Sequence, residues 1–302
     1  MVLLPGPVDA NELRIATQPI PHYAPIFVAK QKKWLEEELA RAGAKPVVKW
    51  TSFAAGPPMN ESFAAGQQDI GLLGDTPAII AKAAGINTRI VGLTSSGPKS
   101  LAVIVPATSK IRTPKDLKGK KVAVVKGSYA HHLLVLVLQK AGLTTRDVEL
   151  INLSQADSAT AIVNGNIDAA AVWEPLITRL EGQGAVRVLA DGSGIKKGVL
   201  VIIATNDILT RHREQVKAFL KAYQRGARFI AANPREAAKL IAAEVNLPAD
   251  QVVKVLAKFD FNPGIQKDDI EEIRKSEAFM RSTALIKTQV NIDAFVDTSL
   301  TR

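Results

Sequence analysis

The stretch Gly66-Gln67-Gln68-Asp69-Ile70-Gly71-Leu72-Leu73-Gly74-Asp75-Thr76-Pro77 reads as the end of one helix, a short buried strand, and the loop that opens the next helix. Gly66 supplies the left-handed residue that stops a helix. Residues 70–73 form a short apolar run bounded by turn residues, the pattern of a buried strand. Asp75 or Thr76 is expected to cap a helix that has Pro77 at its first position. A loop of this kind turns backbone N–H groups outward, where they attract anions. A similar pattern returns 99 residues later as Gly165-Asn166-Ile167-Asp168-Ala169-Ala170-Ala171-Val172-Trp173-Glu174-Pro175.

The flanking sequence carries the repeat outward. After a loose Pro/Gly-containing lead-in at residues 1–11, a strand at 13–16 leads through a Pro-rich loop (17–23) to a helix over 24–42 closed by Gly43. An alternating strand at 47–51, a small-residue loop at 53–58 and a helix from 59 to 65 complete the approach to Gly66. Beyond Pro77 the helix runs to 84, Gly85 ends it, and a strand follows at 89–93. A Ser/Gly/Pro loop (95–100) then leads into a new apolar run at 101–105. Thr113-Pro114-Lys115-Asp116 is a capping box with Asp in place of Glu. From there the order repeats: strand 121–125, loop 126–129, helix 131–141 closed by Gly142, strand 149–153, loop 154–157, helix 158–164. Gly43 and Gly142, Gly66 and Gly165, and Asp69 and Asp168 each stand 99 residues apart. Three matches in register, in the same strand–loop–helix order, predict two lobes of one design.

Alternating strands and helices imply parallel sheets with right-handed crossovers. In such sheets the loops that follow the strands gather along one edge, where ligands bind. Residues 199–205 read as a strand returning to the first lobe, and the helical remainder (213–232, 234–245, 249–259, 267–282) is expected to pack around it. The predicted fold is therefore α/β and two-lobed, each lobe a mostly parallel sheet flanked by helices, with a ligand cleft between. Lobe 1 is assigned residues 12–100 and 201–302, and lobe 2 residues 101–200.

Composition narrows the function. A chain of 302 residues fits about two domains of ~150 residues. It is 47% hydrophobic, enough for a sizeable core, and has no cysteine, which excludes disulfides, thiolate nucleophiles and Cys-rich metal sites. The net charge of +10 is spread over helical stretches with only 5% aromatic residues, the pattern of a solvated basic surface and not of a nucleic-acid face. No apolar run approaches the ~20 residues that span a bilayer. The start, Met1-Val2-Leu3-Leu4-Pro5-Gly6-Pro7, lacks a basic segment and is too short for a complete secretion signal, so it fits a cytoplasmic start or a trimmed exported chain equally. There is no G-x-S-x-G elbow, H-E-x-x-H pair or Walker loop, and Gly192-Ser193-Gly194 before Lys196-Lys197 lacks nucleotide-fingerprint spacing. No metal and no cofactor are expected.

The loops predicted to converge are 18–23, 53–57, 74–76, 95–97, 126–132, 155–157 and 173–174. They are rich in Gly, Ser, Thr and Gln, neutral donors suited to a small oxyanion, while Trp173 and Tyr129 can flank an organic tail. Each has a plainer role. Gly127-Ser128 can simply cap a helix; His22, His131 and His132 can donate to an anion, or the last two can open a helix; Trp173 can pack the lobes or wall a ligand. Asp75 and Glu174 can cap helices, bridge the lobes or meet an amine, with capping favoured.

Several of these pieces together resemble a known family: Val48-Lys49-Trp50-Thr51-Ser52-Phe53-Ala54-Ala55-Gly56-Pro57, Gly66-x-x-Asp69, Gly74-Asp75-Thr76-Pro77, Asp116-Leu117-Lys118-Gly119-Lys120-Lys121-Val122-Ala123, Lys126-Gly127-Ser128 and Trp173-Glu174-Pro175. The chain is similar over residues 13–245 to the periplasmic solute-binding proteins of ABC importers, in the aliphatic sulfonate/taurine/nitrate branch, and most to the aliphatic-sulfonate binders. The resemblance implies the type II periplasmic-binding-protein-like fold, export with removal of a leader, a periplasmic monomer, a small sulfonate-like anionic ligand and a membrane permease as partner, with no nucleic acid. Taurine, nitrate or another small solute, or an enzyme on the same scaffold, are the alternatives. The ligand-binding residues expected are Gln18, Ile20, His22, Gly74, Asp75, Thr76, Ser96, Gly127, Ser128, His131, Trp173 and Glu174. Two features depart from the family pattern: Asp75 stands where Glu is usual, and Tyr129-Ala130-His131-His132 matches no particular substrate.

Overall fold

The computed structural model describes residues 12–301, so the lead-in expected at residues 1–11 lies outside them. β1 (Glu12–Thr17) leads through a 3-10 turn into α1 (Ala24–Gln31) and α2 (Trp34–Arg41), and β2 (Val47–Ser52), α3 (Gly56–Ala64), β3 (Ile70–Gly74), α4 (Asp75–Ala83) and β4 (Thr88–Ser95) follow. β5 (Leu101–Pro106) then opens a second set: β6 (Lys121–Val124), α5 (Tyr129–Lys140), β7 (Glu149–Asn152), α6 (Gln155–Val163), β8 (Ala169–Trp173), α7 (Leu176–Gly182) and β9 (Val186–Asp191). β10 (Leu200–Thr205) precedes a helical tail of α8 (Asn206–Arg211), α9 (Arg213–Ala232), α10 (Pro234–Ile241), α11 (Ala249–Leu256), α12 (Lys267–Ser282) and α13 (Ile292–Phe295).

The strands form two five-stranded sheets with the orders β2-β1-β3-β10-β4 and β7-β6-β8-β5-β9. These are one order written twice, with β10 taking in the first sheet the place of β5 in the second. β1 pairs parallel with β2 and β3, and β6 pairs parallel with β7 and β8. β10 and β5 each run antiparallel to both of their neighbours. Each sheet is therefore mixed, with one reversed strand, and that strand is the one arriving from the other sheet. Where the two passes cross, Gly97 N–H donates to Lys197 O at 3.1 Å and Gly192 N–H donates to Pro98 O at 2.8 Å.

The repeated motif has a structural reason. Gly66 and Gly165 adopt positive φ, 68° and 73°, which ends α3 and α6 at equivalent points. Three residues on, Asp69 accepts the Arg14 N–H at 2.8 Å while its own N–H donates to Arg14 O at 2.9 Å. Asp168 does the same with Lys121, at 2.8 and 2.9 Å. The carboxylate thus pins the entry of β3 to β1, and of β8 to β6, and so sets the register of the central strand. Asp69 binds the Arg14 guanidinium as well, at 2.9 and 2.6 Å. β3 and β8 are buried along their whole length, as their near-continuous apolar sequences require. The tail packs on the first sheet: α9 lies against α1 so closely at Gly226 that an added Cβ would meet the Pro25 backbone.

Several expected boundaries move. The single helix over 24–42 breaks at Lys33, which takes φ 55°, and the break separates the buried residues Ala24 to Ala29 of α1 from the amphipathic α2. α3 starts at Gly56 and not at 59, with prolines in its first turn. Ser154 accepts the Asp157 N–H, so α6 begins at Gln155 and not at 158. The tail helices expected over 234–245 and 249–259 stop at Ile241 and Leu256. β9, paired antiparallel with β5, has no counterpart in the sequence reading. α4 is capped by the backbone at Gly74, with no side-chain cap from Asp75 or Thr76.

The two aspartates differ in what they hold, and this orders their effects. Asp69→Ala removes a buried carboxylate paired with the Arg14 guanidinium and is expected to cost about 1.5–3 kcal/mol, whereas Asp168→Ala removes a single amide contact and is expected to cost about 0.5–1.5 kcal/mol. Urea unfolding of the two variants measures the order; equal losses would contradict this account of the motif.

Candidate functional site

The carboxyl-terminal ends of the two sheets face each other, and the first turns of α3, α4, α5, α6 and α7 follow directly from that edge. Between them lies a cavity with only about 20 Å³ open to the centre of a water-sized sphere. That is room for one or two waters, so the lobes are shut. From the first sheet's side it is lined by Gln18, Ile20, Tyr23 and Leu200 and by the first turns of α3 and α4, and from the second by Val125, Gly127, Ser128, Tyr129 and Trp173. Ser128 caps α5: its Oγ accepts the His131 N–H at 3.2 Å, which leaves its own O–H for another acceptor. Gly127, at φ 81°, donates its N–H to His131 Nδ1 at 3.3 Å. Tyr129 and Trp173 lean on each other with ring centroids 5.7 Å apart.

Of the twelve residues expected at the site, Gln18, Ile20, Gly74, Gly127, Ser128 and Trp173 line this cavity. The other six lie around it. His22 is fully buried behind Tyr129, whose hydroxyl it meets through Nε2 at 2.9 Å, and its other face packs on Phe259. The Thr76 hydroxyl donates to Asp75 Oδ1 at 3.0 Å. His131 lies edge-on to Phe279. Ser96 sits in the crossing segment, where it pairs with Asp260.

Asp75 and Glu174 do not line the cavity; each meets a lysine, and Asp75 Oδ1 also accepts the adjacent Thr76 N–H at 2.8 Å without capping α4 from the N-cap position. Lys196 Nζ, with its side chain wholly buried, donates to Asp75 Oδ2 at 3.0 Å, Glu272 Oε1 at 3.3 Å and Ser276 Oγ at 3.0 Å, which uses all three of its protons. The Ser276 hydroxyl donates to Asp75 Oδ2 at 2.5 Å and lies 3.3 Å from His132 Nδ1. With that proton committed, His132 Nδ1 is the donor in the last contact. On the other side Lys258 Nζ donates to Glu174 and to Thr178 Oγ1, and Glu174 also accepts the Thr178 N–H at 3.1 Å. Glu174 therefore does serve the first turn of α7, in addition to its lysine.

Burial alone would raise the Asp75 pKa, but Lys196, Ser276 and His132 together hold it below the ordinary value. Burial pushes His22 down to about 3, His131 to about 4 with Lys126 assisting, and His132 to about 3 with Lys196 assisting and Asp75 opposing. The shut cleft thus keeps these three imidazoles neutral. Among the described residues no group of three or more His, Asp and Glu is placed to hold a metal ion, and no helix is long and apolar enough to cross a membrane.

The sequence offers little sign of Lys258, Glu272, Ser276 or Phe279, which come from the tail. Lys196 belongs to a Gly-rich stretch whose spacing excludes a nucleotide site, and a lysine among glycines is otherwise unremarked.

The NMT1/THI5-like family model matches residues 20–237. An aliphatic sulfonates-binding protein of Escherichia coli (strain K12) is 34% identical over 231 residues, 76% of this chain and 71% of that protein. One of the same name in Bacillus subtilis (strain 168) is 31% identical over 290 residues, 95% and 86% of the two chains. Among solved structures, the alkanesulfonate-binding protein SsuA from Xanthomonas axonopodis pv. citri, bound to MOPS, superposes with a TM-score of 0.84 at 28% identity, over 95% of this chain and 98% of that one.

Two outcomes follow from the buried charges. Lys196→Met strands Asp75 without its counter-ion and is expected to cost about 3–5 kcal/mol, while Lys196→Met with Asp75→Asn recovers part of the loss; chemical denaturation reads both. The histidines have folded pKa values depressed below an ordinary ~6.5, so the stability linked to them is complete above that pH and is lost as pH falls toward 4 and 3. The slope reaches about 1.4 kcal/mol per pH unit for each histidine inside that window. Urea midpoints flat from about pH 7.5 to 5 would contradict the burial of these rings.

Proposed function

The chain belongs to the NMT1/THI5-like family, and from that premise we propose that it is the extracytoplasmic substrate-binding component of an ABC importer, capturing an organosulfur anion such as an alkanesulfonate by lobe closure. The observation that carries this is the cavity at the facing carboxyl edges of two sheets of identical order, lined by neutral donors and apolar walls. The relatives named for aliphatic sulfonates and the SsuA structure support the same class. A sulfonate is ionised at every ordinary pH, so it needs donors and a dry pocket for its tail but no acid–base residue. The Ser128 hydroxyl and the N-terminal turn of α5 supply donors of that kind.

In this reading residues 12–100 with 201–302 form lobe 1 and residues 101–200 form lobe 2. The lobes hinge on the two crossing segments, and the protein works as a periplasmic monomer that delivers its ligand to a membrane permease. Closure follows from tighter binding to the shut form. The ligand is held and released unchanged.

Calorimetric titration with ethanesulfonate, butanesulfonate, nitrate, sulfate and a phosphonate tests the reading, with heat expected from the sulfonates. Silence from every sulfonate would defeat it, and mass-spectrometric detection of a converted ligand would favour an enzyme. Ser128→Ala is expected to weaken sulfonate binding by roughly tenfold to a hundredfold, the loss of one hydrogen bond to a charged ligand of about 1.5–3 kcal/mol. Thr76→Ala is expected to weaken it less, because that hydroxyl is engaged by Asp75.

A further inference from the structure

We infer that the junction between the lobes is a proton-sensitive latch: His22 and His132 are held neutral where the two halves meet, and protonating them opens the cleft and releases the anion. The latch belongs to the lobe closure proposed above and rests on that reading.

Each ring is held in a contact that crosses from one half of the chain to the other. His22, on the 3-10 turn after β1, presents Nε2 to the Tyr129 hydroxyl of α5 at 2.9 Å. His132, on α5, meets Ser276 Oγ of α12 through Nδ1 at 3.3 Å. Its ring also lies flat on that of Phe279, with centroids 4.1 Å apart and an interplanar angle of 8°. Parting the lobes breaks both contacts and returns both rings to water.

Neither ring can take a second proton where it stands. An imidazolium donates from both nitrogens and accepts at neither. His22 is fully buried and its Nδ1 has no hydrogen-bond partner among the described residues, so the charged ring would carry an unpaired donor beside Phe259. His132 faces the wholly buried ammonium of Lys196, which repels a further positive charge. Asp75 attracts one, but its Oδ2 already accepts from Lys196 and Ser276, and Glu272 accepts from Lys196 and from the Lys197 N–H. Burial, with this surrounding, is what holds both imidazoles at about 3, below an ordinary ~6.5. The adjoining His131 is not part of the latch. Its Nδ1 accepts the Gly127 N–H from its own loop, a bond that opening leaves in place, and the charge facing it is Lys126 of the same loop.

In water the two rings take up protons as pH falls through about 6.5. The open form therefore binds protons that the shut form excludes, and acid draws the equilibrium toward it. Affinity is full above that pH and is lost progressively below it. A sulfonate does not itself titrate in this range, so protons expelled on binding come from the protein.

The experiment is calorimetric titration of the full chain with ethanesulfonate at about pH 8 and about pH 5.5, each in two buffers of different ionisation heat, which counts the protons released. Between about one and about two protons per ligand are expected at the lower pH and close to none at the higher. Affinity is expected to fall between them by about tenfold if one imidazole is linked and about a hundredfold if both are. His22→Gln keeps a polar group toward Tyr129 and His132→Asn keeps one toward Ser276; the double variant is expected to lose most of the release and of the fall. Binding at the lower pH with release of well under about one proton overturns the latch and leaves the sulfonate reading standing. A release unchanged in the double variant overturns it equally. Absence of heat with ethanesulfonate and butanesulfonate at both pH values is a different result and removes the sulfonate reading itself. The latch is then decided on the unliganded chain by small-angle X-ray scattering. A radius of gyration that grows between about pH 8 and about pH 5.5 at unchanged circular dichroism supports it, and one that stays constant overturns it.

Discussion

A lysine ammonium wholly removed from water imposes the strictest constraint on this molecule. Lys196 lies between Asp75, Glu272 and Ser276, and no solvent shares in its hydration. An ion so placed is tolerable only when every partner is present together, because losing one leaves an uncompensated buried charge. The partners come from the first turn of α4 and from α12, while the lysine comes from the segment that carries the chain back from the second sheet. The neighbouring Lys197 adds Asp268 at 2.7 Å and Asp269 at 2.5 Å, again from α12. The tail helix is thereby fastened over the crossing segment, and Phe279 on the same helix stacks against the His132 ring at 4.1 Å on α5. One charge thus ties the edge of the first sheet, the crossing strand and the tail to each other.

The repetition of the sheet explains why such a tie is needed. Two sheets with the same strand order, each completed by a strand from the other, have no covalent reason to meet at a single angle. Their facing edges carry helix N-termini and strand-end backbone, polar groups that burial penalises unless they are bonded. Side-chain pairs also cross between the two halves: the Tyr129 hydroxyl with His22, Glu174 with Lys258, and Ser276 with His132. The shut arrangement is specified by polar pairing at a few points, with apolar side chains filling the space between.

What was legible in the sequence was what the chain decides locally. Gly66 and Asp69 can be read because the left-handed glycine and the strand-entry aspartate act within a few residues of themselves, and duplication at 99 residues makes the pattern conspicuous. The return of residues 199–205 to the first sheet is legible for the same reason, since a buried strand flanked by turns announces itself. The break at Lys33 is not, because a lysine at positive φ has no composition to mark it. Asp75 shows the limit most plainly. A carboxylate at a helix start reads as a cap; one of its oxygens is held by the adjacent Thr76, and the partners of the other lie 121 and 201 residues away. Of the expected site residues, those that line the cavity sit at strand ends, which periodicity locates. Of those that fall behind it, Thr76 is bound by the adjacent Asp75, while His22 meets Tyr129, 107 residues away, a partner that only the tertiary fold supplies.

Those neighbours bear on how closure is driven. In the shut form the polar groups around the cavity are largely satisfied by the protein itself: Gly127 by His131, Thr76 by Asp75, Gln18 by Tyr23. A ligand cannot then favour closure merely by supplying missing bonds at these points. Its contribution is limited to the difference between its affinity for the shut and open forms. A cavity of about 20 Å³ holds one or two waters and not a sulfonate, so a bound form parts these walls further, and that difference must come from groups still free to turn, chiefly the Ser128 O–H, and from water leaving the aromatic pair Tyr129 and Trp173. A compact oxyanion with a tail that gains from desolvation draws on both sources.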